Sequence, residues 1–240
     1  MKILKHTGKY LENNVKFCRN VAILLLLIGI GGIIGRIPFF LIPLIVGWFF
    51  LRKSTNYQGG LDGENLVRES LQNLSDNYSL INDIKLPDCR VNIDHVVLGP
   101  NGVFIIETKN YNGQLINNGD EWIRHYEGGM KISMKGQPYW QEDRDYDLGS
   151  PCKQVKRGTV KIKQIIESSN IFKKPLNIWV QGIVVFTNPN VELQLTNTTV
   201  PILKIEELNS YIKSKISVIK FSPQELESIG KAILMRAETD

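Results

Sequence analysis

Histidine and cysteine are scarce, with three of each in 240 residues. His6, His95 and His125 stand far apart without ligand spacing, which argues against a histidine-based metal centre and leaves them structural roles. Cys18, Cys89 and Cys152 are odd in number and widely separated. No C-x-x-C pair supports a zinc site and no cysteine framework suggests a secreted disulfide fold, so a reducing compartment is the natural reading. The chain lacks a G-x-x-x-x-G-K-[ST] run, so nothing here would cradle ATP phosphates. It also lacks internal repeats and low-complexity tracts.

What is abundant is unevenly placed. The net charge of +5 suggests a nucleic-acid binder, but residues 1–53 hold eight basic residues (Lys2, Lys5, Lys9, Lys16, Arg19, Arg36, Arg52, Lys53) against Glu12 alone. The remaining residues, 54–240, are net −2. The global charge therefore describes the N-terminal segment.

Val21 to Leu51 reads VAILLLLIGIGGIIGRIPFFLIPLIVGWFFL, with Arg36 its one charge. As a single helix this run would reach about 46 Å, against a hydrocarbon core of about 30 Å. The Gly-Arg-Ile-Pro break at 35–38 offers another solution: two short helices, or a re-entrant hairpin, turning at Arg36. Each arm would be short, about 22 Å. Lys16 and Arg19 flank one end of the run, and Arg52 and Lys53 the other. Basic flanks favour the cytoplasmic side, so both ends inside implies an even number of crossings. A cleaved signal peptide fits poorly, because the basic region is too long, the apolar run is double length and no A-x-A site follows. A buried core hairpin is the other bland reading, and the run has few polar residues to support it. The expectation is a basic cytoplasmic segment over 1–20 (read as an interfacial helix), a membrane hairpin or span over 21–51, and a soluble domain on the cytoplasmic side. Membrane lipid is thus one expected partner.

The soluble part begins with STNYQGGLDG, rich in Gly, Ser and Asn, which reads as a linker over 52–62. Leu66, Val67, Leu71 and Leu74 then fall at helical spacing behind Asp62 as N-cap. Tyr78–Leu86 reads as a strand ended by Pro87, with shorter strands around Gln114–Asn117 and Glu121–Tyr126. Ser150 caps a helix whose first turn holds Pro151 and whose apolar stripe is Val155, Ile162, Ile165 and Ile166. A long apolar strand (LNIWVQGIVVFTN), a polar β region and helices at about Ile205–Lys213 and Ser222–Ala237 complete the chain. This order predicts a mixed α/β domain over 63–240 with helices on both sides of a central sheet.

Within it, IDHVVLGPNGVFIIETKN (Ile93–Asn110) places charges in an apolar hairpin. If Pro100 and Asn101 form a two-residue loop, paired positions sum to 201 and Asp94 lies opposite Glu107. Lys109 then shares their face, because alternate strand residues do. A three-residue loop would shift the register by one and scatter the three charges. Facing carboxylates repel unless a cation lies between them. Lys109 supplies part of that charge, and a hard divalent ion held by one or two carboxylates supplies more. On D-x12-E-x-K alone, a surface salt bridge at a strand end is the better account, because the pattern is common by chance.

Several separated stretches agree with one family. GGLDGE, LINDIKLP, IDHVVLGPNGVFIIETKNYNGQL, EW and SPCKQ, in this order from about Gly60 to Ile166, resemble the NERD (nuclease-related domain) family, grouped with PD-(D/E)XK nucleases. The resemblance implies a restriction-endonuclease-like fold and Mg²⁺- or Mn²⁺-dependent hydrolysis of nucleic acid, DNA in the first instance. It implies Asp94 and Glu107 as metal ligands with the Thr108 carbonyl as a third, Lys109 as catalytic lysine, Glu64 as auxiliary acid, and Gln154 as the glutamine of the helix after the core. Ser150-Pro151 stands where the family usually has Asn-Pro, which leaves the capping chemistry intact. A non-catalytic module that holds nucleic acid or a protein at the membrane is the alternative on the same fold.

The helix after the core carries Gln154, Arg157 and Lys161 on one face, with Gly158 between them allowing close backbone approach. Lys153, Lys156 and Lys163 broaden the basic surface, and no acid occurs from Leu148 to Ile166. Phosphate contact and a solvated amphipathic face are both open readings. QEDRDYD (Gln141–Asp147) reads as a solvated acidic loop without the features of a calcium loop. Trp122, Tyr126, Tyr139 and Trp140 suit base stacking or core and rim packing.

Overall fold

The computed structural model describes residues 1–5, 9–34, 41–86, 92–133, 135–169, 171–172, 178–216 and 220–237. His6, the Gly-Arg-Ile-Pro break with Arg36, Pro87 and Cys89 lie outside them. In chain order the elements are β1 (Lys2–Lys5), α1 (Lys9–Ile34), α2 (Leu41–Leu71), β2 (Ser79–Ile84), β3 (Ile93–Gly99), β4 (Gly102–Lys109), β5 (Gly113–Asn118) and β6 (Glu121–Tyr126). They continue with β7 (Gly129–Ile132), β8 (Pro138–Gln141), β9 (Arg144–Leu148), α3 (Pro151–Ser168), β10 (Val180–Phe186), β11 (Val191–Thr196), β12 (Ile202–Lys204), α4 (Ile205–Ser214) and α5 (Pro223–Arg236).

Six strands form the central mixed sheet in the order β1-β2-β3-β4-β10-β12, and β11-β5-β6-β9 form a second sheet. Alternation along the central strands divides the core in two. On one face Val96, Leu98, Val103 and Ile105 pack with Val155 and Ile162 of α3 and Ile229 and Ile233 of α5. On the other, Val97, Phe104 and Ile106 pack with Val67 and Leu71 of α2 and Leu208 and Ile212 of α4. The expected mixed α/β arrangement, with sheets flanked by helices, is what forms. Ser150 caps α3 as its sequence predicts, accepting from the Lys153 N–H at 3.2 Å.

Three expectations are corrected. The stretch 52–62 is not a linker. It is the middle of α2, which runs unbroken for 31 residues from Leu41 to Leu71. Gly59 and Gly60 lower helix propensity, but tertiary contacts override it. A Cβ on Gly60 would touch Leu11, and the Gly59 carbonyl accepts from Asn110 Nδ2 at 2.8 Å. Asp62 is therefore no N-cap but a mid-helix residue, accepting from Gln58 Nε2 at 2.7 Å. The N-terminal residues are not all helical either: Lys2–Lys5 add a parallel edge strand beside β2. Finally, part of QEDRDYD is strand. Arg144–Leu148 pairs antiparallel with β6, because its polar residues alternate to suit two exposed faces.

α1 and α2 form an antiparallel helical pair. A Cβ on Gly47 would lie 3.1–3.2 Å from Leu26, Leu25 and the Ala22 carbonyl, so these backbones approach closely only because glycine is there. Nearer the domain, the buried Ser54 hydroxyl donates to the Val15 carbonyl at 3.2 Å. Among the described residues one helical stretch, Tyr10–Ile34, is long and apolar enough to cross a membrane. The apolar part of α2, Leu41–Leu51, is shorter than that.

Candidate active site

The β3–β4 hairpin turns through Pro100 and Asn101, and its register runs from Gly99↔Gly102 to His95↔Ile106. Each pair sums to 201, the register that sets Asp94 opposite Glu107. The ladder stops at His95, however. The Thr108 N–H, which a continued ladder would give to the Ile93 carbonyl, is donated instead to Asp94 Oδ2 at 2.7 Å. Ile93 remains paired with Ile84 of β2. The strands thus part at this end of the sheet, and the Asp94 carboxylate bridges the gap.

Glu107 and Lys109, two residues apart on β4, meet there: Lys109 Nζ donates to Glu107 Oε1 at 2.6 Å, and the Glu107 side chain is 7% exposed. Glu64 arrives from α2, on the other side of the sheet. Gly63 makes this possible, because a Cβ there would lie 3.0 Å from Thr187 Oγ1 and 3.1 Å from Asn110 Cβ. Asn110 ties the three elements together, bonding the Gly59 carbonyl of α2 and accepting from Asn188 Nδ2 beyond β10.

The electrostatics match this convergence. Burial, then Glu107, then Glu64 raise the Asp94 carboxyl well above the ordinary range. Burial also lifts Glu107, against the pull of Lys109. Glu64 is pushed up to about 7, first by burial, then by Asp83 and Glu107. Burial alone lowers the Lys109 ammonium, but Glu107 and Asp94 outweigh it and the net shift is upward. The site is an excess of buried negative charge that one lysine only partly offsets.

Asp83 is the residue that sequence reasoning missed. It lies within β2 at a positive φ of 48°, where a side chain other than glycine is uncommon, and it adds to the field on Glu64. The signal was an acid inside the apolar strand of LINDIKLP.

Gln154 lies in the first turns of α3. Gly158 of that helix lies over Ile105 and Ile93. At the helix start, Cys152 accepts from Trp122 Nε1 at 3.4 Å, and Trp122 stacks on Phe186, the register partner of Lys109. Gln154 falls between these two points along α3, and its Oε1 is buried without a hydrogen-bond partner among the described residues. The close approach at Gly158 therefore serves packing on the sheet.

The basic residues divide. Arg157 and Lys161 lie on the Gln154 side of α3, with Arg157 exposed. Lys156 is engaged elsewhere, its ammonium contacting both Asp120 oxygens at 2.7 and 2.9 Å. Lys153 also acts on Asp120. Lys163 pairs with Glu167 at 3.8 Å. His95 is buried with Nδ1 2.8 Å from Asn82 Oδ1 and its pKa lowered to about 3 by burial, and half-buried His125 contacts Asp145. Trp122 is core, whereas Tyr126, Tyr139 and Trp140 are exposed.

The donors at the strand ends are oxygens. Two mutually repelling carboxylates fit a hard divalent ion that keeps several waters. No group of three His, Cys, Asp or Glu side chains is gathered for a metal among the described residues, so the fit is to an ion held by one or two carboxylates.

A mixed α/β domain whose central strands part over buried carboxylates and a lysine is the architectural class this chain defines. A family model described as the nuclease-related domain matches residues 59–187. The chain belongs to the NERD family. Comparisons with curated proteins and with solved structures give no significant match.

Proposed function

We propose that this chain is a membrane-anchored, divalent-metal-dependent nuclease with a restriction-endonuclease-like core, hydrolysing nucleic-acid phosphodiester bonds on the cytoplasmic side. The observation that carries the reading is the buried meeting of Asp94, Glu107 and Lys109 where β3 and β4 part. Asp94, Glu107 and the Thr108 carbonyl would hold Mg²⁺ or Mn²⁺, which when bound polarises a phosphoryl oxygen and acidifies a bound water. Lys109 holds a proton at Nζ and presents positive charge where the phosphate charge develops. Glu64, with its pKa raised to about 7, is poised to take or give a proton near neutral pH. Gln154 Oε1 offers an acceptor that orients water. Arg157 and Lys161 extend the site along α3 toward the phosphate backbone. Lys153 and Lys156 contribute a weaker field beside Asp120.

The membrane arm of the proposal rests on β1. Because Lys2–Lys5 pair with β2 of the domain sheet, both ends of the α1–α2 pair lie on the domain's side. That arrangement supports a hairpin over a single span, and removal of α1 as a signal sequence would take the edge strand β1 with it.

The test is a nuclease assay on the purified full chain in detergent with Mg²⁺ or Mn²⁺. Cleavage of DNA lost in Asp94→Asn and on chelation is the expected result; cleavage that survives both overturns the mechanism. One observation favours a second reading, a module that binds nucleic acid without turnover: Lys109 already occupies Glu107, and among the described residues no three acids are gathered so as to hold a metal. Salt-sensitive DNA binding with no cleavage in either metal is its signature.

A further inference from the structure

The acidic run that closes the second sheet holds a feature which its composition conceals. In β9 the residues alternate, so Arg144, Tyr146 and Leu148 share one face while Asp145 and Asp147 take the other. The β6–β9 register pairs Arg124 with Tyr146, Tyr126 with Arg144 and His125 with Asp145. One face is therefore basic and aromatic, and the opposite face acidic. The basic face lines a cavity of about 550 Å³ together with Gln141 and Arg52 of α2. Three arginines and no acid line it.

One detail readies this cavity for an anion. Arg124 stacks over Tyr111, 5.3 Å from the ring centroid, which fixes its guanidinium. Arginine is suited to phosphate because its planar fork bonds two oxygens at once.

Position decides the source of the anion. Arg52 is the first charge after the apolar run of α2, where a helix leaving a bilayer meets the headgroups. Its guanidinium lies 5.8 Å from the Trp48 ring, and tryptophan concentrates at that level. The β7–β8 hairpin, which ends at the lining residue Gln141, pairs Met130 with Trp140 and Ile132 with Pro138. This gives it a continuous apolar face, on which Met130 is 67%, Trp140 71% and Ile132 76% exposed. An exposed apolar ribbon beside an arginine pocket at the end of a membrane helix matches a lipid surface.

We propose that the Arg52–Arg124–Arg144 pocket binds the phosphate of an anionic phospholipid headgroup, seating the second sheet on the membrane. The inference rests on the membrane reading above, and the experiment separates the two. The full chain is first floated with vesicles of phosphatidylcholine alone; failure to float overturns the membrane reading and this one with it. The chain in neutral detergent is then titrated with dioctanoyl phosphatidylglycerol and with dioctanoyl phosphatidylcholine, following tryptophan fluorescence. Preference for the anionic lipid is expected, weakened roughly tenfold by Arg144→Gln or Arg52→Gln, each the loss of one charge-assisted contact. Both positions are exposed, so neither substitution opens the core. Flotation with no headgroup preference, or with a preference that Arg144→Gln leaves unchanged, overturns the pocket alone. Glycerol phosphate binding as tightly as the lipid makes it a soluble-phosphate site, and displacement of the lipid by a short oligonucleotide makes it part of a nucleic-acid path. Either result overturns the proposal.

Discussion

Replacing Glu64 with Gln tests the electrostatic account of the site without removing a metal ligand. Glu64 is lifted from 4.5 to about 7 in the folded chain. A carboxyl with a raised pKa binds its proton more tightly folded than unfolded, so its contribution is fully favourable below about pH 4.5. It is lost as pH climbs to about 7, and the shift corresponds to at most roughly 3 kcal/mol. Asp94 and Glu107 are raised as well and slope the same way, so the difference between wild type and variant is the quantity of interest. Glu64→Gln keeps the shape and removes the titration. Urea unfolding of the full chain in detergent, at pH 4.5, 6 and 8, reads this through the fluorescence of Trp122 in the core. Equal stability at pH 4.5 and a variant more stable by up to roughly 3 kcal/mol at pH 8 are expected. If wild type and variant lose stability in parallel across that range, Glu64 is not held against the other acids, and the site is not the cluster described here.

The same reasoning predicts that Lys109→Met, which leaves Glu107 and Asp94 without their cation, costs roughly 1–3 kcal/mol at pH 8. The loss should shrink at pH 5, where both acids can take protons, and thermal melts at the two pH values measure it. Gly63→Leu would push α2 off Thr187 and Asn110 and displace Glu64; cleavage should fall more than the roughly 1–3 kcal/mol stability cost of overpacking explains, as paired kinetics and unfolding would show. Gly47→Leu would drive a side chain into the Ala22 carbonyl and separate α1 from α2, detected as new protease sites within 41–60 while the sheet core stays protected.

The hairpin was legible because Gly-Pro-Asn-Gly admits few turns, and a two-residue turn fixes the parity of every residue after it. The helix with Ser150 and Pro151 was legible for the same local reason. What escaped was decided at longer range. STNYQGGLDG has the composition of a linker, and it is helical because Leu11 and Asn110, distant in sequence, press on its glycines. Asp83 escaped because a single acid in an apolar strand does not show which carboxyl it will repel until the fold brings it near Glu64. The alternation in Arg144–Leu148 was visible, but the weight of three aspartates masked it. Lys156 looked like a phosphate contact until Asp120 arrived beside it.

The edge strand β1 also bears on how the protein is made. Lys2–Lys5 are made well before their partner β2, which comes only after α1 and α2. At roughly 5–20 residues per second, that delay lasts on the order of 4–15 seconds. During it the first strand has no sheet to join, and the apolar helices behind it emerge into water or into lipid. Closure of the sheet therefore waits for α1 and α2, and the nuclease-like domain completes its edge with a segment made well before its partner strand.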